Sequence, residues 1–176
     1  MLFDFFYAIS ELKKVPRKGW KEKVGIDKPE SVADHSYGTA VMAMIFSDLK
    51  DLNTEKMLKM ALLHDMAESI IGDFTPNEIS KENKNIVENE TMEVILSKLP
   101  TNIAKQYGEI WKEFLESKTK ESVLLHDVDR LEMAIQAAKY FSEGYSKEKL
   151  QEFVESARKE IKSKELLEIL NTISYK

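Results

Sequence analysis

The chain has 176 residues, of which 43% are hydrophobic and 32% charged, with 6 Gly and 4 Pro; this is length enough to bury a core without staples, in a mixture typical of helical globular proteins. A formal charge of -5 excludes the basic surface that broad nucleic-acid binding requires, so no nucleic acid polymer is expected as a partner. The absence of cysteine excludes disulfides and thiolate ligands, leaving nitrogen and oxygen donors for any metal.

Leu2, Phe5, Phe6, Ile9 and Leu12 follow helical spacing and predict a first amphipathic helix packed on the core. Asp4 and Ser10-Glu11-Leu12-Lys13-Lys14 interrupt any signal-peptide pattern, and no apolar run approaches a membrane span of about 20 residues. A cytoplasmic protein with no membrane partner is the expectation. Pro16, Gly19, Gly25 and Pro29 make residues 15–30 a loop, and a long loop inside a domain often serves a site.

Ser31 with Asp34 reads as a capping box for a second helix running to Leu49, which puts His35 in its first turns. Asn53 or Thr54 caps a third helix extending through Ile71, and Gly72 ends it. Thr75, Pro76 and Glu78 restart the chain as cap, first-turn proline and reciprocal cap partner, with a helix to Lys98 broken at Pro100. Further helices are predicted over residues 103–116, from Thr119 or Glu121 to Ser142 with a stop near Gly144, and over residues 147–162 and 164–173. The pattern predicts an all-α single-domain bundle over residues 1–176, with about seven to eight helices.

Of only 3 histidines, His35 and His64 both lie in apolar, helix-patterned surroundings beside carboxylates. At about 100° per residue, His64, Glu68 and Ala61 fall within about 60° of one another, and Asp65 lies about 100° from His64. All three polar side chains can therefore reach one cavity. Among Met57, Leu58, Met60, Leu62 and Leu63, such groups are costly to desolvate without a partner, and a bound cation is such a partner. A buried histidine taken singly is more often a hydrogen-bonded core residue. Two of them with an adjacent aspartate form a donor set suited to Mn, Fe, Co, Ni or Zn, with positions left for water.

A further ligand is expected from the segment Val123–Met133. Leu124, Val128, Leu131 and Ile135 form its buried stripe, and Asp129, Glu132 and Gln136 share one flank; Asp127 lies about 160° from Asp129. The two aspartates do not serve one site, and periodicity leaves open which of them binds. His126 reads as a surface residue or a site residue. Tyr107, Trp111 and Phe114 belong to an interface or to the core.

Arg17-Lys18-Gly19-Trp20, Pro29-Glu30-Ser31-Val32-Ala33-Asp34-His35-Ser36, Ala61-Leu62-Leu63-His64-Asp65-Met66-Ala67-Glu68, Gly72-Asp73-Phe74-Thr75-Pro76 and Asp127-Val128-Asp129-Arg130-Leu131-Glu132-Met133 together resemble the HD-domain phosphohydrolases, most closely their 5'-deoxynucleotidase branch. The resemblance implies that His35, His64, Asp65 and Asp129 are the metal ligands, and that Asp127 is structural or outside the metal shell. It implies Glu68 as the catalytic glutamate, with Asp73 as a catalytic or substrate-binding residue and Arg17 and Trp20 lining the nucleotide pocket. In some bacterial relatives the tryptophan directly follows the arginine, whereas Lys18 and Gly19 intervene here.

The implied activity is release of phosphate from a nucleoside 5'-monophosphate by metal-activated water, in a homodimer. Two other readings fit the same residues. One is a phosphohydrolase acting on a cyclic nucleotide, a nucleoside triphosphate or a guanosine polyphosphate; the other is a helical binding protein that keeps the metal for stability.

Overall fold

The computed structural model describes residues 2–75 and 77–173, so the part expected of Pro76 lies outside the described residues. Helices α1 (Leu2–Leu12), α2 (Val32–Leu49), α3 (Thr54–Leu63), α4 (Glu68–Ile71), α5 (Lys81–Leu96), α6 (Thr101–Glu116), α7 (Lys120–Ser142), α8 (Lys147–Glu160) and α9 (Lys164–Thr172) make up the architecture. No strand occurs among the described residues, and the all-α class is as expected. No helix among them is long and apolar enough to cross a membrane.

The caps legible in the sequence form as local chemistry dictates. The Ser31 amide donates to Asp34 Oδ2 at 2.9 Å while the Asp34 amide donates to Ser31 Oγ at 3.1 Å, the reciprocal box that opens α2. Asn53 Oδ1 accepts the Lys56 amide at 2.9 Å at the head of α3, and Thr119 boxes with Ser122 at the head of α7. Each such cap contributes about 1 kcal/mol.

Three elements depart from the sequence expectation. In α1 the buried residues are Phe5, Ala8 and Leu12, whereas Leu2, Phe6 and Ile9 face outward. Turn structure at Asn77 and Glu78, with the Thr75 amide donating to Glu78 Oε2 at 3.0 Å, stands where the helix start was expected. The next helix begins only at Lys81 under the Ser80 cap. The third helix breaks at His64–Ala67, where amides reach back three residues: Met66 to Leu63, Glu68 to Asp65 and Ser69 to Met66. The His64 ring engages the Ala61 carbonyl at 2.7 Å, the acceptor that an unbroken α-helix would offer to the Asp65 amide.

Helix α2 packs on α3 and α7, and α3 also packs on α6 and α7. Ala40 and Ala43 from α2, Met57, Met60 and Ala61 from α3, and Leu125, Val128 and Leu131 from α7 belong to one buried cluster. Full burial of side chains such as Met57, Met60 and Leu131 contributes about 1.5–3 kcal/mol each. Ile135, expected in the stripe of α7, is 39% exposed instead. The loop before α2 is tied down by a π-helical turn, Trp20–Val24, and a bridge between Pro16 and Ser31.

Candidate metal centre

Where α2, the turn after α3 and α7 meet, four buried or half-buried groups converge. His35 Nε2 lies 2.9 Å from Asp129 Oδ1 and 3.7 Å from Asp65 Oδ2, and His64 Nε2 lies 3.2 Å from Asp65 Oδ2. The donor atoms of His35, His64 and Asp129 all fall within 4.8 Å of one another, a spread that metal bonds of about 2.0–2.2 Å can bridge.

The break in the third helix explains part of this convergence. Three-residue hydrogen bonding stacks side chains at i and i+3 on one side, so Asp65 and Glu68 align more closely than an α-helical wheel allows. Gly72 closes the segment at φ 78°, a left-handed conformation that disfavours residues with a side chain.

The protonation chemistry of the donors fits a cation. His64 Nδ1–H donates to the Ala61 carbonyl, so a neutral ring directs its Nε2 lone pair toward Asp65. That buried nitrogen makes no hydrogen bond among the described residues. A lone pair and a carboxylate facing each other at 3.2 Å call for a positive charge between them.

His35 is flanked by carboxylates at both nitrogens, with Glu132 Oε2 2.5 Å from Nδ1. Burial and the Arg17 charge both push its pKa down, yet the bonds to Asp129 and Glu132 prevail and raise it to about 10. In the metal-free protein a proton thus sits where a metal would act. Burial works against ionisation of Asp65 and Asp129 as well, but the histidines and arginines around them hold both below the usual carboxylate range.

Charged groups frame this cluster. Arg17 Nη1 lies 3.5 Å from Asp65 Oδ2, and its guanidinium feels Asp65, Asp73, Glu68 and Asp129 together. Glu68 is fully buried; Lys84 Nζ donates to its Oε1 at 3.1 Å, while Oε2 has no hydrogen-bond partner among the described residues. Burial and then the Asp65 charge push the Glu68 carboxyl well above its usual range, with Lys84 opposing. Asp73 Oδ2 accepts the Lys18 amide at 2.7 Å and so pins the loop that carries Arg17.

Trp20 does not line this space. It is 2% exposed, its ring centroid 4.1 Å from that of Phe153 and 5.3 Å from that of Tyr140, and its Nε1–H donates to Glu30 Oε1 at 2.9 Å. The structure therefore corrects the expected pocket contact: burial in the core takes both the indole face and its only polar atom. Asp127 lies on the other flank of α7 and accepts the amides of Lys162 and Ser163 at 3.0 and 2.8 Å. His126 stacks on Phe114 and bonds its carbonyl, and Trp111 is buried with its Nε1–H donating to Asn89. Trp111 and Phe114 accordingly serve the core.

Lys84 was not singled out from the sequence, although Lys84 and Glu88 show the i,i+4 spacing of a helical ion pair, observed at 3.3 Å. The assignment of Glu132 to the flank of Asp129 was legible; its bond to His35 was not.

The model of the HD domain matches residues 9–169, and the chain belongs to the HD-domain family. It is 37% identical to 5'-deoxynucleotidase HDDC2 of Xenopus laevis, over 98% of this chain and 85% of that one. It is 43% identical to 5'-deoxynucleotidase hdd1 of Schizosaccharomyces pombe, over 79% of this chain and 72% of that one. A crystal structure of a protein from Pyrococcus horikoshii, 31% identical, superposes with a TM-score of 0.78 over 97% of each chain.

Proposed function

We propose that this protein is a metal-dependent 5'-nucleotidase that removes phosphate from nucleoside 5'-monophosphates, deoxyribonucleotides included. The supporting observation is the convergence of His35, His64, Asp65 and Asp129 beside a buried glutamate and an arginine, in a chain whose relatives are named 5'-deoxynucleotidases. Those four residues would hold the divalent cation, one of Mn, Co, Zn, Fe or Ni. When bound, it supplies charge to a phosphoryl oxygen and acidifies water.

In this reading Arg17 grips the phosphate with its planar fork, already set at the cluster by the Asp73 anchor on the neighbouring amide. Glu68 Oε2 takes the proton from the attacking water, and Lys84 fixes its other oxygen. Water oxygen bonds to phosphorus, the bond from phosphorus to the nucleoside oxygen breaks, and that oxygen gains the proton taken up by Glu68 as the nucleoside leaves. We assign the remaining oxygen of Asp73 to the sugar or the leaving oxygen.

We further infer one domain over the whole chain, working as a cytoplasmic homodimer. Phe3, Phe6 and Tyr7 of α1 turn outward, an apolar face that supports a second copy as partner. Sedimentation velocity tests the dimer.

The test of function is inorganic phosphate released by metal-stripped protein from ribo- and deoxyribonucleoside 5'-monophosphates, with and without added Mn, Co or Zn. Release that depends on metal is expected. No release across the panel, with metal bound, would overturn the nucleotidase reading.

A further inference from the structure

Gly38 sits on α2 one turn after His35, in a helix interior where glycine is the least favourable residue after proline. A β-carbon built there would stand 2.8 Å from Glu132 Oε1, 3.1 Å from its Cγ and 3.3 Å from its Cδ. The Glu132 carboxylate therefore lies across bare backbone at Gly38. From that position its Oε2 meets His35 Nδ1 at 2.5 Å. Gly108 of α6 offers a contrast, since a β-carbon there would meet only Leu96 Cδ1 at 4.0 Å.

We propose that Glu132 is a positioning residue for the metal centre, and that position 38 is glycine so that this carboxylate can reach His35. The inference rests on the reading of His35 as a metal ligand. A neutral imidazole presents one lone pair; a proton kept on Nδ1 by Glu132 leaves that lone pair on Nε2, which faces Asp129 and Asp65. With the carboxylate absent or displaced, the ring loses both the tautomer bias and the contact that sets its angle. Glu132 touches neither the reacting atoms nor the donor cluster except through His35, so its effect is on how the metal is held.

The experiment titrates Co(II) into metal-stripped wild type and the variants Glu132→Gln, Gly38→Ala and Gly108→Ala, reading dissociation constants and the Co(II) visible spectrum. Circular dichroism of the metal-free proteins checks folding. Glu132→Gln and Gly38→Ala should each weaken binding by about 10–100-fold and alter the spectrum, with Gly108→Ala matching wild type. Alanine is the better helix former, so a loss at Gly38→Ala is not a loss of helix propensity. The double variant Gly38→Ala/Glu132→Gln should lose less than the sum of the singles, because both break one contact.

Wild-type affinity and spectrum in Glu132→Gln would overturn the positioning role, and the same result in Gly38→Ala, or additive losses, would overturn the part given to the glycine. Wild type that binds no Co(II) would instead overturn the metal reading beneath both.

Discussion

Glu68 and Glu30 show how placement turns one side-chain type to different uses. Glu68 opens the short α4 just past the break, fully buried, with one oxygen on Lys84 and the other free of hydrogen bonds among the described residues. Its substitution Glu68→Gln should lower kcat by about 10²–10⁴-fold while elemental analysis still finds a full complement of metal; wild-type kcat would remove it from the proton path. Glu30 packs behind His35, where burial and then the Glu132 charge raise its pKa from 4.5 to about 7. The folded-state value lies above the unfolded one, so its contribution to stability is fully present below the unfolded value and lost as pH rises through about 7. At about 1.36 kcal/mol per unit, a rise from 4.5 to about 7 corresponds to a loss of roughly 3 kcal/mol. Glu30→Gln should therefore gain on wild type in unfolding free energy as pH rises from about 4.5 to about 7 and keep that gain above it, as measured by urea titration; a difference that does not change with pH would refute the shift.

At the scale of elements, the active segment depends on where helices stop. An α-helix running unbroken to Ile71 would leave Asp65 and Glu68 about 60° apart around its axis, whereas the three-residue hydrogen bonding at His64–Ala67 aligns them more closely. On α7 the two aspartates divide the work by flank: Asp129 faces the histidines and Asp127 ties down the start of α9 through two amides. Asp127→Ala removes a charged acceptor from both amides and should cost roughly 1.5–3 kcal/mol, seen as a melting temperature lower by several degrees. Metal affinity should stay at the wild-type value in that variant, and loss of metal would contradict the division between the two flanks.

For the whole molecule, the centre links segments far apart in sequence, since His35, the His64-Asp65 pair and Asp129 come from three packed elements. A ligand that binds only the folded chain stabilises it by about 2.7 kcal/mol at a free concentration near 100 times its dissociation constant. Added Mn, Co or Zn should raise the melting temperature and a chelator should reverse the rise. Asp65→Ala should abolish most of that metal-dependent increment, and an unchanged increment would show that the cation binds elsewhere.

Helix content, caps and the candidate residues His35, His64 and Asp65 were legible because each is a local or periodic property, whereas Asp129 was singled out from Asp127 only by the family resemblance. Ser31 and Asp34 need only three residues of chain to form their box, and a histidine beside an aspartate in an apolar run stands out wherever the run folds. The sequence by itself thus determined the all-α class, the position of His35 in the first turns of α2, and the opposite flanks of Asp127 and Asp129. Tertiary structure alone decided that Trp20 is core rather than pocket wall, that Phe6 and Ile9 face outward, and that Lys84 reaches Glu68 and Glu132 reaches His35. Those outcomes depend on which neighbour fills the space beside a side chain, and no periodicity within one segment records what a distant helix brings to it.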